Sequence, residues 1–503
     1  MTSLVWFKRD LRLEDHQPLW HAARQGPVLP VYIIEPDYWQ QPDVSLRHWQ
    51  YLAPALEQLN QQLSALGQPL VIVKGAATVM LRQLCQRYAI TGVFSHQETG
   101  NLWTYQRDLA VGRLLKSLQI PWRQYQQFAV FRHLKNRDNW FELTDSWLKS
   151  SLCPTPNALP RLTTAADHLV ALAPQRAIDL PAIRLLQQPA EAANIFSGFL
   201  SRRSRHYRQH ISIAAKAGSS CSRLSPCISY GQLSLRQLQQ HSLLAIKQQN
   251  DGWHKQGLQA FFSRLRWHCH FIQKLEDEPA IEFFNMHRGF DGMRETDFNP
   301  EFFNAWRMGF TGFPLIDAAM RCLLATGWLH FRGRAMLVAF ATYHLWLHWR
   351  PVALHLAQCF VDYEPGIHYP QIQMQAGTTG INPNRMYNPI KQSQQKDPDG
   401  QFIRRWLPEL QRLPDSWLHT PWLMPGALQQ QYGCVIGRDY PAPVVDPEHA
   451  SQQARAKLKS WLLSQPQNDW QQQKIAVMTR HASRRRPVVR IEAKNRDQLS
   501  FDW

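Results

Sequence analysis

Residues 327–410 set charges inside an apolar run, and this restricts the possible folds more than any other feature of the chain. The stretch opens GWLHFRGRAM, runs through an apolar segment to LHWR, and reaches DYEPGIHYPQIQMQAGTTG. It closes with NRMYNP and DPDGQFIRRWLPEL. Residues 337–356 are rich in Ala, Leu, Val, Phe and Trp with no Gly, which predicts a buried helix whose one turn sits at Pro351. Arg332 and Arg334 fall in its first turns. An Arg in an apolar setting needs a carboxylate partner, because an unpaired buried charge is very costly. Asp362 follows far enough along to return across a helical hairpin. The spacing alone serves a purely structural ion pair equally well.

The N-terminal part has another rhythm. Residues 3–7, 28–34, 69–74 and 92–95 read as parallel strands, with helices over 46–66 and 79–88 between them. That is a doubly wound α/β pattern, which places a ligand crevice at the carboxyl ends of the strands. No G-x-G-x-x-G follows a strand, so the common dinucleotide fingerprint is absent. The expected organisation is an α/β parallel-sheet domain over 1–130 and an interdomain connector over 131–193. A large all-α domain over 194–475 and a basic tail over 476–503 follow.

Composition narrows the partners. Lys and Arg number 56 against 38 Asp and Glu, a formal net charge of +18 that suits a polyanion such as nucleic acid. The eight cysteines are scattered with no C-x-x-C, which argues against a zinc ribbon or a disulfide framework. No uncharged apolar run reaches the length of about 18 residues that a membrane helix needs. The start, MTSLVWFKRD, has no signal-peptide core. A cytoplasmic, monomeric protein with no membrane segment and no metal is the expectation.

Two more stretches carry chemistry. SCSRLSP (220–226) sets hydroxyls and Pro226 at the start of a helix, where unsatisfied N–H groups favour an anion, although a plain helix cap has the same look. The amphipathic helix FFSRLRWHCHFIQKLEDEP (261–279) carries Trp267 and His270 about one turn apart. Together with WFKRDLR (6–12), HQETGNLWTYQRDLAV (96–111), Trp349-Arg350, NRMYNP and KDPDGQFIRRWLPEL, these motifs resemble those of the DNA photolyases and cryptochromes.

The resemblance implies a U-shaped FAD in the helical domain and an antenna role for residues 1–130. It leaves room for a second chromophore of folate or deazaflavin type. Carried residue by residue, it implies FAD contacts from Tyr207, Cys221, Ser222, Arg223, Leu224, Ser225, His270, Arg334, Asp362, Tyr363, Glu364 and His368. His368 would face flavin N5, and with a charge that changes near neutral pH it could tune protonation there. DNA contacts would come from Trp267, His268, Arg332, Arg385 and Lys391, with Trp267 stacking on a flipped pyrimidine pair. Trp267, His368, Trp349 and Met374 would carry the catalytic roles.

The chain also departs from the family. Ile372 and Thr296 stand where two tryptophans of the electron-transfer triad belong, Met374 replaces an aromatic residue beside the lesion, and Phe331 replaces an Asn. Photoreduction then needs another route, through Trp267, Trp306, Trp328, Trp346 or nearby tyrosines. The implied activity is blue-light repair of pyrimidine dimers, most simply of the cyclobutane type. A cryptochrome-like photoreceptor is the alternative.

Overall fold

A computed structural model describes residues 2–162, 173–176, 179–381 and 386–481. Strands β1 (Thr2–Phe7), β2 (Val28–Ile34), β3 (Val71–Lys74), β4 (Ile90–His96) and β5 (Trp122–Tyr125) pair in parallel, in the order β3-β2-β1-β4-β5. Alternation along β1 sends Leu4 and Trp6 to one face, with Val31, Leu81 and Val111. Val5 and Phe7 go to the other, with Leu19, Leu52 and Leu56. Both faces are covered, which is why the inner strands read as nearly unbroken apolar runs.

The four predicted strands fall on β1 to β4, and the predicted helices on Leu46–Ala65 and Ala77–Arg87. β5 was not expected. Its sequence, WRQY, is short and polar, and it pairs on one side only, with β4. Beyond residue 135 no named strand occurs among the described residues, so the rest is helical. The predicted connector contains the helix Trp140–Lys149, with Trp140 buried against His270 and Phe141. The last described helix, Gln467–His481, docks Trp470 on His287 and His481 on Glu278. The basic run beyond His481 lies outside the described residues.

The turn after β1 joins the sheet to the helices. Asp15 accepts hydrogen bonds from Arg236 and from the Ser234 hydroxyl, and Arg12 donates to the Gly231 carbonyl at 2.9 Å. Gly231 has φ +67°, and a Cβ there would sit 2.2 Å from the Arg9 carbonyl oxygen, so only glycine lets the two segments approach this closely. Asp10 accepts from the ring nitrogens of His16 (2.9 Å) and His96 (2.7 Å). The Leu19 N–H donates to the other His16 nitrogen. The three side chains are therefore a closed hydrogen-bonded group.

The long helix expected over 337–356 is broken. One helix, Phe331–Ala339, widens into a π-type turn at Phe340–His344, and a new helix starts at Trp349 (Trp349–Cys359). Trp346 adopts a left-handed conformation (φ 53°), which ends the first helix and sets its indole 4.5 Å from the buried Arg294 guanidinium. Pro351 does not make the turn. It sits in the first turn of the second helix, where no N–H is required. Among the described residues, no helix is long and apolar enough to cross a membrane.

Candidate active site

Four segments of the helical region enclose a cavity of about 340 Å³. The helix Gly252–Asp277 presents Arg264, Trp267, His268 and Phe271 to it, the i, i+3/i+4, i+7 stripe of one face. Phe331, Arg334, Ala335 and Val338 come from the helix Phe331–Ala339. Opposite them stand Asp362, Tyr363 and Glu364, and then His368, Gln371, Ile372 and Gln375 along the helix Pro365–Ala376. Cys221, Ser222, Arg223 and Ser225 close one end, with Tyr207 behind them.

Arg334 and Asp362 meet as the apolar setting requires. Two parallel N–H···O bonds of 3.0 and 2.8 Å join them, and Arg334 Nε donates to the Leu329 carbonyl at 2.7 Å. The guanidinium lies 4.1 Å from the Phe360 ring, so it is held on both sides. Glu364 reaches Arg9 at 3.4 Å, and burial pushes its carboxyl up to about 7 against the pull of that arginine. Tyr363 donates its hydroxyl to Asp43 at 2.5 Å.

His368 bonds through Nε2 to the Ala353 carbonyl at 2.8 Å. A carbonyl can only accept, so Nε2 carries the proton and Nδ1 is left as an acceptor. Burial pushes the imidazole down to about 4. The expected charge change near neutral pH is therefore corrected: this histidine stays neutral there.

At the other end, the short helix Ser225–Ser229 has Pro226 in its first turn and no side-chain cap. Arg223 sits just before it with φ 57°, its guanidinium 5.4 Å from the Trp328 ring. Uncapped N–H groups beside an arginine suit a phosphate. The Cys221 thiol is pushed up to about 12 by burial and stays protonated.

The buried polar atoms test whether a large polar ligand belongs here. Arg223, His268, Gln371 and Gln375 line the cavity, and each holds a buried polar atom (Nε, Nδ1, Oε1 and Oε1) that has no hydrogen-bond partner among the described residues. Such groups are costly unless something enters to meet them. Donors at the arginine end, the Asp362 carboxylate and amides along one wall fit a dinucleotide such as FAD.

Some expected contacts lie elsewhere. His270 faces Trp140 (5.7 Å) and not the cavity, because it falls outside the 264/267/268/271 stripe. The Leu224 side chain packs in the core with Ile228 and Leu235. Trp349 is buried behind the cavity, donating its indole N–H to Asn285 at 2.8 Å. Met374 lies off the cavity-facing stripe of its helix. Of the four tryptophans offered as another electron route, Trp267 and Trp328 line the cavity, whereas Trp306 and Trp346 do not. Arg332 lies 5.1 Å from the Tyr387 ring, Lys391 is exposed on the helix Pro389–Lys396, and Arg385 lies outside the described residues.

Sequence reading missed Arg9, Asp43, Arg264, Gln371 and Gln375. The two glutamines were findable, since 368, 371, 372 and 375 trace one helical face. Asp43 gave no local signal. A smaller cavity of about 60 Å³ lies at the carboxyl ends of β1, β2 and β4, shares Tyr363 with the first, and is lined by Arg9, Glu35, Tyr38, Glu98 and Arg107. Its Arg107 is paired with Glu35 at 3.0 Å and with Glu98 at 2.5 Å. The eight cysteines are unpaired, and the one metal-sized group of His, Cys, Asp or Glu among the described residues is the Asp10 group, which holds no cysteine.

Comparison with known proteins agrees with this geometry. Residues 3–135 match the family model described as DNA photolyase, and residues 261–460 the model of the FAD binding domain of DNA photolyase. A deoxyribodipyrimidine photo-lyase of Vibrio cholerae is 30% identical over 465 residues, covering 88% of this chain and 96% of that protein. Cryptochrome-2 of Arabidopsis thaliana is 29% identical, over 88% of this chain and 76% of that one. A solved bacterial class III photolyase from Agrobacterium tumefaciens superposes with a TM-score of 0.80 at 25% identity, over 92% of this chain and 98% of that one.

Proposed function

The chain belongs to the DNA photolyase and cryptochrome family, and from that premise we propose that it repairs cyclobutane pyrimidine dimers in DNA under blue light. Held by Arg223, Arg334 and Asp362, reduced FAD would supply the light-driven electron chemistry that opens a cyclobutane ring without net redox change. The observation that carries this reading is that the FAD cavity and the Trp267 indole share one wall. Trp267 stacks on Phe271 at 5.9 Å, so a base flipped onto this platform comes to lie at the cavity that holds the cofactor.

The chain's own residues bind and orient. Arg334 fixes the Asp362 carboxylate, Arg223 and the uncapped turn at Ser225 suit the pyrophosphate, and His368 presents a bare Nδ1 acceptor. The +18 charge holds DNA without sequence preference.

The histidines favour cyclobutane dimers over (6-4) products. A (6-4) product calls for acid catalysis by charged histidines in the pocket. Burial pushes His268 down to about 3 and His368 to about 4, and His270 is turned away from the cavity. None of the three is charged at neutral pH.

The test is to reduce the FAD-loaded protein, illuminate it with a dimer-containing oligonucleotide, and count restored thymines against a dark control. Light-dependent restoration supports repair. No restoration with FAD bound and fully reduced refutes it and favours a photoreceptor role. That second reading draws on Ile372, an unoxidisable residue on the cavity wall.

A further inference from the structure

Two glutamines on the cavity wall are left without partners. Gln371 and Gln375 lie one turn apart on the helix Pro365–Ala376, on the face that also carries His368 and Ile372. Gln375 is only 5% exposed, yet neither side chain makes a hydrogen bond among the described residues, and both Oε1 atoms are buried. In each amide the oxygen is shut in the wall, and the nitrogen, also without a partner, is the accessible end.

Their neighbour makes the contrast. Gln373, pointing to the opposite side of the same helix, donates to the carbonyls of Ile281 (2.9 Å) and Phe284 (2.8 Å) and accepts from the Met286 N–H (2.6 Å). One helix therefore carries a fully satisfied buried glutamine and two unsatisfied ones. The unsatisfied pair belongs to the cavity lining. Apolar residues at these positions would have closed the wall without the cost of two unpaired amides.

An amide carries one donor and one acceptor in a plane, and rotation about its last side-chain bond turns either of them to the polar edge of a nucleobase. From His368 the helix rises about 5 Å to Gln371 and about 10 Å to Gln375, so the two amides are spread along the wall away from the end where Arg334 pairs with Asp362. We propose that Gln371 and Gln375 form a base-reading edge of the cavity, hydrogen-bonding the polar rim of a nucleobase held within it. This rests on the cavity being the FAD and DNA site. Two sources supply the same chemistry: the adenine of FAD, or a pyrimidine of the DNA.

The test uses Gln371→Leu and the volume-preserving Gln375→Met, each in the full chain. Two affinities are measured in the dark: that of the apoprotein for FAD and for FMN, and that of the FAD-loaded protein for dimer-containing against undamaged oligonucleotide. If the base is the FAD adenine, each variant binds FAD about tenfold more weakly with FMN unaffected. If it belongs to DNA, FAD binding is unchanged and discrimination for the dimer falls about tenfold per glutamine. Unchanged affinities in both variants, with melting temperatures at or above that of the unsubstituted protein, would overturn the assignment. The unsubstituted protein serves as control: if it binds neither FAD nor dimer DNA, the proposed function falls with it.

Discussion

Removing the Asp362 carboxylate tests the central pair most directly. Its side chain is 3% exposed and receives two hydrogen bonds from Arg334, which is 27% exposed. Breaking a buried pair from one side costs about 3–5 kcal/mol, because the remaining charge is left uncompensated. Arg334 keeps some contact with solvent and its bond to Leu329, so we expect about 2–3 kcal/mol for Asp362→Asn in the apoprotein. At roughly 1 °C per kcal/mol for a chain of 503 residues, that lowers the melting temperature by about 2–3 °C. Loss of a charge-assisted hydrogen bond to the flavin should also weaken FAD binding by about 10- to 100-fold. Thermal unfolding of apoprotein and a flavin fluorescence titration read the two effects separately. In the double variant with Arg334→Gln the losses should fall short of additive by about 1 kcal/mol or more. An Asp362→Asn protein that purifies with stoichiometric FAD and melts like its parent would refute the reasoning.

Other consequences follow from the same geometry. His368 is held near 4 when folded and returns to about 6.5 when unfolded, so below pH 6.5 the unfolded chain gains a proton that the folded one resists. Its share of stability, about 3 kcal/mol, is present above pH 6.5 and is lost as the pH falls towards 4. Urea unfolding at pH 7.5 and 5 should show a smaller pH difference in His368→Asn than in the parent, and an equal difference would count against a neutral buried imidazole. Asp15→Asn leaves Arg236 uncompensated where the two side chains are 2% and 3% exposed, with an expected loss of about 3–5 kcal/mol in denaturant unfolding. A change under 1 kcal/mol would mean that the joint between sheet and helices does not depend on this pair. Trp267→Ala should weaken binding of dimer DNA by about 1–3 kcal/mol while leaving the salt dependence of undamaged DNA unchanged. Equal weakening on both DNAs would remove the stacking role.

What depends on neighbours along the chain is legible in the residues themselves. Alternating residues in β1 to β4 must form buried parallel strands, because both of their faces are apolar. Arg334 had to find a carboxylate, and Asp362 was in reach. Tertiary structure decided what depends on partners far along the chain. The Ala353 carbonyl selects the protonated nitrogen of His368, and burial keeps that ring neutral, which no local pattern reveals. Trp346, turned left-handed against Arg294, breaks the helix ahead of Pro351, the one turn that the composition marks. His270 and Trp267 stand three residues apart on one helix, and which stripe of that helix meets the cavity and which meets Trp140 is set by the packing around it. Gln371, Gln373 and Gln375 are the same residue type on one helix. Which of them is satisfied, and which waits for a ligand, is fixed by the surfaces packed on either side, because a hydrogen bond needs its partner in place.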